Sequence, residues 1–231
     1  MRFALPSPRR EFIFAFSVFI FLGLGSCSKA TRDLTFTCDK ANTPCLSGPA
    51  MVSLETSKGT VLLQLDGKNA PLTAGNYLDL VRKGVYDQTV FHRVIRSPLP
   101  FVVQGGDPTS SNPKTPVSSY GTGNYIDRST GEARLIPLEF RLKGSSKFVY
   151  GQEMANAGGP QKPELTHARG AIAMARSSDP NTGSAQFYIA LEALPELDGR
   201  YAVFGRVVRG MEVIDRIQQG DRLLRAKAVV Q

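Results

Sequence analysis

The chain has 231 residues, of which 42% are hydrophobic and 21% are charged. These values are typical of one well-cored domain with appendages and exclude a disordered or collagenous chain. The formal net charge is +8, but the basic residues are scattered. This pattern argues against a nucleic-acid groove, and we expect instead a diffuse positive charge beside an anionic bilayer.

Residues 1–26 have the three parts of an export signal. A short basic region ends in Arg9 and Arg10, an apolar run follows at residues 12–24, and small residues come next. At ~1.5 Å per residue the apolar run spans about 20 Å, whereas a bilayer core is ~30 Å thick. A signal peptide is therefore favoured over a spanning helix. The paired arginines also resemble a twin-arginine signal, but so apolar a run favours the general secretory route.

The signal ends in Leu24-Gly25-Ser26-Cys27, which resembles the bacterial lipobox. In a lipobox the chain is cut before the cysteine, and the thiol then carries diacylglycerol. Two or more acyl chains are enough for stable anchoring. We therefore expect lipidation at Cys27 and an exported lipoprotein that faces the periplasm or another extracytoplasmic space. An ordinary signal peptide that ends near a cysteine is the alternative.

Residues 27–49 are polar and lack a sustained period, which predicts a tether between the membrane and the domain. Cys38 and Cys45 lie in this segment. In an exported chain they predict a small disulfide loop, and two unpaired thiols are the alternative. The only histidines, His92 and His167, have no ligand-like spacing to these cysteines. We therefore expect no metal and no cofactor.

From residue 51 the pattern predicts short strands and two helices. Residues 51–56 and 60–65 alternate around a turn and predict a β-hairpin, and Pro71 opens a helical pattern that stops before Gly84. A second helical pattern covers residues 211–218. Further short apolar segments occur at residues 90–95, 101–103, 136–140, 171–175, 187–191, 201–208 and 226–230. Many strands without βαβ alternation predict a mainly β domain, a closed antiparallel barrel over residues 50–231. A long polar stretch lies at residues 108–135.

Five sequence blocks together resemble the cyclophilins, in the order and at roughly the spacing of that family. They are Phe91-His92-Arg93-Val94-Ile95, Phe101-Val102-Val103-Gln104-Gly105-Gly106-Asp107, Ala173-Met174-Ala175, Ala185-Gln186-Phe187-Tyr188-Ile189, and Leu197-Asp198-Gly199 with Val203-Phe204-Gly205. The resemblance implies an eight-stranded antiparallel barrel capped by two α-helices, with a substrate groove on its outer face. Compared with the shortest family members, it also implies a long insert at about residues 108–165. It also implies peptidyl-prolyl cis–trans isomerase activity on proline-containing polypeptides, and we expect a monomer.

Isomerisation of an X–Pro bond must overcome a barrier of ~18–20 kcal/mol that arises from amide resonance. A donor aimed at the prolyl nitrogen withdraws its lone pair, and an apolar slot holds the ring. The resemblance assigns the donor to Arg93 and a bracing amide to Gln104, both as catalytic residues. It assigns substrate binding to Phe101, Val102, Ala175, Arg176, Gln186, Tyr188, Leu197 and Tyr201.

The chain departs from the family pattern at four positions in or beside the groove. Glu196 replaces a tryptophan common in eukaryotic members, which puts cyclosporin binding in doubt, and Tyr201 replaces the groove histidine. Tyr188 replaces the usual phenylalanine and adds a hydroxyl at the floor of the slot. Arg176 replaces an asparagine, so we expect a more basic groove.

Three other functions are weaker interpretations. A non-catalytic, membrane-tethered chaperone would use the same groove, but the arginine and the slot aromatics are all retained. A hydrolase would need a nucleophile beside a base, and neither His92 nor His167 lies in such a motif. Residues 121–124 resemble a weak phosphate loop, but no Lys-Ser/Thr follows them. His92 is expected to be structural.

Overall fold

The structure is a computed structural model that describes residues 43–155 and 159–229. The predicted signal peptide, the lipidation site Cys27 and the predicted disulfide partner Cys38 lie outside the described residues. Within the described ranges, neither helix has the length and apolar character needed to cross a bilayer.

The described chain forms eleven strands and two helices. The strands are β1 (Pro49–Thr56), β2 (Gly59–Asp66), β3 (Thr89–Val90), β4 (Arg93–Val94), β5 (Val102–Gly105), β6 (Glu139–Arg141), β7 (Phe148–Tyr150), β8 (Ala171–Met174), β9 (Phe187–Ala190), β10 (Val203–Arg209) and β11 (Arg222–Val229). The helices are α1 (Pro71–Arg82) and α2 (Met211–Arg216). Short 3₁₀ turns cover Pro108–Ser111, Val117–Ser119 and Pro195–Leu197.

Nine strands form one strongly curled antiparallel sheet in the order β3-β11-β1-β2-β10-β8-β9-β5-β4. The two edge strands, β3 and β4, are separated in the chain only by Phe91 and His92. The chain itself therefore joins the two edges, and β3 and β4 are two pieces of the single segment predicted at residues 90–95. Counted as one strand, they give the eight strands that were predicted. The predicted class, a mainly β barrel-like sheet with two helices, is confirmed.

The β1–β2 hairpin shows why this sequence curls around a core. Thr56 pairs with Gly59 at the turn, and alternate residues of both strands point inward. The inward side chains include Val52, Leu54 and Val61, which are fully buried. Strand alternation thus places one face of each strand in the interior, and the other face remains available for a site.

Helix α1 receives its N-terminal cap from the insert. The residue before the helix, Ala70, has no side-chain cap, and the buried carboxylate of Glu139 takes that role. Glu139 accepts hydrogen bonds from the backbone N–H of Leu72 (3.1 Å) and from the N–H (2.7 Å) and hydroxyl (2.8 Å) of Thr73. These bonds satisfy helix donors that would otherwise be unpaired. They also fix β6, and with it the insert, against the barrel.

Residues 43–48 already contact the barrel before β1 begins. The N–H of Leu46 donates to the carbonyl of Pro71 (3.0 Å), and the backbone of Pro44 and Cys45 lies so close to Gly75 that a β-carbon there would overlap it. Cys45 is disulfide-bonded. Its partner lies outside the described residues, so the Cys38–Cys45 pair stays a prediction, as does the domain boundary at residue 50.

Candidate active site

A second, smaller apolar cluster lies on the outer face of the sheet. Along β9 the side chains of Phe187 and Ile189 belong to the interior core, whereas those of Tyr188 and Ala190 belong to the outer cluster. Val102 of β5 joins them in the same way. This alternation places an apolar surface outside the barrel, where strands β5, β8, β9 and β10 are adjacent.

The outer cluster lines a hollow of about 270 Å³, which we call the slot. Its lining residues are Arg93, Phe101, Val102, Gln104, Ala175, Arg176, Tyr188, Leu197 and Tyr201. The structure therefore brings together every candidate catalytic and substrate-binding residue except Gln186. That residue lines an adjoining hollow of about 280 Å³, which shares Gln104, Ala175 and Arg176 with the slot.

Arg93 stands at the rim of the slot because β4 pairs with β5. Arg93 lies directly opposite Gln104 in this antiparallel pair, so the two side chains share a face. The Nη1 of Arg93 donates to the Oε1 of Gln104 (3.2 Å), and its guanidinium carbon lies 5.9 Å from the ring centroid of Phe101. No other acceptor for its guanidinium occurs in the described chain, so the remaining N–H groups can donate to a substrate.

The side chain of Gln104 is oriented by a row of amides that ends at a backbone carbonyl. Gln104 donates from Nε2 to the Oε1 of Gln186 (3.2 Å), and Gln186 donates from Nε2 to the carbonyl of Gly123 (2.9 Å). A carbonyl can only accept, so it fixes the orientation of Gln186 and, through it, that of Gln104. The oxygen of Gln104 is thereby directed at Arg93. We call this row the amide relay.

The loop that carries Gly123 is held by Asp107, whose side chain is fully buried. Its carboxylate accepts hydrogen bonds from the N–H and hydroxyl of Thr109 (both 2.8 Å), from the N–H of Gly121 (2.6 Å) and from the N–H of Gly123 (3.2 Å). Burial opposes ionisation, but these hydrogen bonds outweigh it and lower the pKa of Asp107. A β-carbon at residue 123 would overlap the carboxylate, which explains the glycine.

The Asp107 contacts also explain the glycine-rich residues 121–124. The N–H groups of Gly121 and Gly123 are used by a carboxylate, so residues 121–124 do not form a phosphate loop. The positioning roles of Asp107 and Gly123 were missed from the sequence. The signal was present, because Asp107 ends the Gln-Gly-Gly-Asp part of a block, but its partner glycines are more than ten residues away.

The sequence predicted that Arg176 would make the groove more basic, but the structure places its charge elsewhere. Its guanidinium carbon lies 4.7 Å above the ring of Tyr201, and its side chain is only 5% exposed. It forms an ion pair with Glu153 of the insert and donates to the carbonyl of Arg200 (3.0 and 2.8 Å). Arg176 therefore packs the slot wall, and Glu153 balances much of its charge.

The expected hydroxyl at the floor of the slot is also placed differently. The hydroxyl of Tyr188 forms a hydrogen bond of 2.8 Å with the Nε2 of His167, a buried residue that does not line the slot. The ring of Tyr188 supplies the floor, and the ring of Tyr201 meets it edge-on at 5.8 Å. Burial, with Tyr201 adding to it, raises the pKa of Tyr188 well above 10, so the phenol keeps its proton.

The described residues of the slot include no group arranged for covalent or metal chemistry. In residues 43–155 and 159–229, no cluster of three or more His, Cys, Asp or Glu could hold a metal ion. Burial lowers the pKa of His92, which is therefore neutral near pH 7. What the site presents is a fixed guanidinium beside an apolar hollow, which suits recognition of a ring next to a polar bond.

Comparison with known proteins agrees with this geometry. The family model for cyclophilin-type peptidyl-prolyl cis–trans isomerases matches residues 51–230. The chain belongs to the cyclophilin family. It is 36% identical over 169 residues to the peptidyl-prolyl cis–trans isomerase CYP18-2 of Arabidopsis thaliana, covering 73% of this chain and 80% of that one.

A second relative is a putative thylakoid lumen peptidyl-prolyl cis–trans isomerase of Synechocystis. It is 40% identical over 200 residues, which is 82% of this chain but 49% of that protein. This cyclophilin thus spans about half the length of that relative. A cyclophilin-type isomerase of Cryptosporidium parvum, crystallised in the presence of the dipeptide Ala-Pro, has the same fold with a TM-score of 0.57 and 25% identity, covering 78% of this chain and 99% of that one.

Proposed function

We propose that this cyclophilin accelerates rotation about X–Pro bonds in exported or membrane-associated polypeptides, with Arg93 as the catalytic donor. The observation that carries this proposal is the position of the Arg93 guanidinium. It stands at the rim of an apolar slot and has N–H groups that the described chain does not use. As the amide twists, the prolyl nitrogen regains its lone pair, and a guanidinium stabilises that lone pair without losing its own charge.

The other candidate residues support this single step. Gln104, held by the amide relay, orients the guanidinium of Arg93 through their hydrogen bond. The side-chain amide of Gln104 also lies at the substrate groove. Phe101, Tyr188 and Leu197 surround the proline ring with apolar surface. The adjoining hollow, where Gln186 lies, takes the peptide beside the proline. Rotation needs no covalent intermediate, and the described residues that line the slot include no nucleophile–base pair.

A protease-coupled or NMR exchange assay on an Ala-Pro peptide tests the proposal. Loss of a preorganised donor costs about 10²–10³ in rate, so Arg93→Ala should lower kcat/KM about 100-fold. Arg93→Lys keeps the charge but loses the planar fork, and it should recover only part of the rate. The matched control is Arg225→Ala on β11, an arginine whose side chain is 58% exposed and which should leave kcat/KM unchanged. A wild-type rate no better than that of Arg93→Ala would refute the proposal.

We further propose that the protein is exported and anchored to a membrane through lipidated Cys27, as a monomer facing an extracytoplasmic space. Three observations support this location. The lipobox-like end of residues 1–26 is one, the thylakoid lumen named for the Synechocystis relative is another, and the disulfide at Cys45 is the third. Disulfides persist mainly in oxidising compartments.

Metabolic labelling with a radioactive fatty acid tests the anchor. The wild-type protein should carry label and fractionate with membranes, and Cys27→Ser should lose both properties. Equal labelling of the two proteins, or no labelling of either, would exclude anchoring through Cys27.

A further inference from the structure

A buried row of three polar side chains lies behind the floor of the slot. Tyr188, His167 and Asp198 are only 5%, 2% and 2% exposed. The hydroxyl of Tyr188 lies 2.8 Å from the Nε2 of His167, and the Nδ1 of His167 lies 2.9 Å from the Oδ1 of Asp198. Buried polar groups persist when each finds a partner, and this row connects all three.

The hydrogen bonds of this row all donate in one direction, from Tyr188 towards Asp198. The Oδ1 of Asp198 also accepts the backbone N–H of His167 (2.8 Å), and a carboxylate has no proton of its own to donate. The proton of a neutral His167 ring therefore lies on Nδ1 and faces Asp198. Its Nε2 is then an acceptor, and the phenol of Tyr188, whose pKa burial raises, is the donor that faces it.

Three separate parts of the chain meet in this row. His167 precedes β8, and its carbonyl accepts the N–H of Leu194 (2.8 Å). Tyr188 lies in β9 and forms the slot floor, while Asp198 follows Leu197, which forms a slot wall. The row therefore ties the floor of the slot to its wall from behind.

We propose that His167 is a positioning residue for the proline slot. By accepting the hydroxyl of Tyr188, its ring holds the tyrosine ring across the floor and keeps the hydroxyl out of the slot, while its backbone N–H, which a side-chain substitution leaves in place, holds Asp198 beside the wall at Leu197. This inference rests on the proposed function, and it applies because this chain has a tyrosine at residue 188. A phenylalanine there would have no hydroxyl to satisfy.

Loss of the acceptor has a defined consequence. Tyr188 would be left with an unpaired buried hydroxyl, which is costly. The ring would then tilt, or water would enter the floor, and the slot would become smaller and more polar. Proline binding should weaken, so KM should rise more than kcat falls.

A double-mutant cycle on the full chain tests the proposal. The four proteins are the wild type, His167→Leu, Tyr188→Phe and the double variant, assayed for kcat and KM on an Ala-Pro peptide. Two residues in contact typically change the effect of each other's substitution by about tenfold in an equilibrium or rate. His167→Leu should therefore lower kcat/KM about tenfold in the wild-type background. In the Tyr188→Phe background the same change should cost no more than about twofold, because no hydroxyl is left to satisfy. An equal cost in both backgrounds would show a general structural role and overturn the inference.

Two controls separate the possible failures. If the wild type is no faster than Arg93→Ala, the proposed function itself fails. If the wild type is faster but the cycle is additive, only the role of His167 fails. Far-UV circular dichroism of each variant checks folding, and His167→Gln, which keeps a polar group near the position of Nε2, should recover part of the activity lost in His167→Leu.

A measurement on the unmutated protein gives a readout that does not depend on the activity of a variant. The chain has only two histidines, so ¹⁵N NMR of the rings gives two sets of signals, and His167→Gln assigns them. The row predicts that neutral His167 carries its proton on Nδ1. A proton found on Nε2 in the neutral ring would overturn the inference.

Discussion

Replacing Asp107 with asparagine should both destabilise the fold and disturb the site. The carboxylate of Asp107 accepts two hydrogen bonds from Thr109 on one oxygen and one each from Gly121 and Gly123 on the other. An asparagine has one carbonyl oxygen, so its NH₂ group must face a backbone N–H on one side or the other. At least one buried donor then loses its acceptor and faces a second donor.

The magnitude follows from the bonds that are lost. Hydrogen bonds to a charged group contribute about 1.5–3 kcal/mol each. With one or two of the four hydrogen bonds lost, the free energy of unfolding should fall by about 1.5–6 kcal/mol. The carbonyl of Gly123 would also shift, and with it the amide relay that ends there. We therefore expect kcat/KM to fall several-fold in the variant that still folds.

Urea unfolding followed by far-UV circular dichroism measures the stability change, since the chain has no tryptophan for fluorescence. The matched control is Asp215→Asn, an aspartate with 41% side-chain exposure that pairs with Arg169 on the surface. Exposed pairs of this kind contribute about 0–1 kcal/mol. A midpoint for Asp107→Asn that equals the wild-type midpoint would refute the hydrogen-bond reasoning.

The same variant makes a prediction about pH. The pKa of Asp107 is lowered in the folded protein from its ordinary value of 3.8. A carboxylate of this kind stabilises the fold fully above the unfolded pKa, and the contribution is lost as the pH falls through the folded pKa. The stability difference between wild type and Asp107→Asn should therefore be constant near neutral pH and should narrow below about pH 4. A difference that persists unchanged in acid would contradict the assignment.

Two further substitutions and one peptide map test other contacts. Gln186→Leu breaks the amide relay and should lower kcat/KM about threefold to tenfold in the Ala-Pro assay, the equivalent of one net hydrogen bond; an unchanged rate would show that Arg93 needs no such bracing. Glu153→Gln removes the ion pair with Arg176 and should raise KM by less than about threefold, because the carboxylate of Glu153 is 36% exposed and water screens its charge; a KM equal to that of wild type at low salt would contradict it. Peptide mapping without reduction should link Cys38 to Cys45, and recovery of Cys45 joined to Cys27 would contradict that pairing.

The sequence by itself determined the class of fold and most of the candidate site. Strand alternation is a local property, so the hairpin at residues 51–65 follows from the residues of its two strands. The resemblance to the cyclophilins added the number of strands, and nine of the ten residues that it assigns to the site line one slot. These features depend on short stretches of chain, and short stretches are what a sequence pattern describes.

Only the tertiary structure decided where the polar groups of those same residues go. The cap of α1 comes from Glu139, 67 residues beyond Leu72, and the hydroxyl of Tyr188 finds His167, which lies 21 residues before it. Such pairs form because sheet register and the path of the insert bring distant segments together. No local period encodes a contact of this kind, since each side chain can be satisfied by any partner of suitable geometry. The arrangement of partners therefore belongs to the folded chain as a whole.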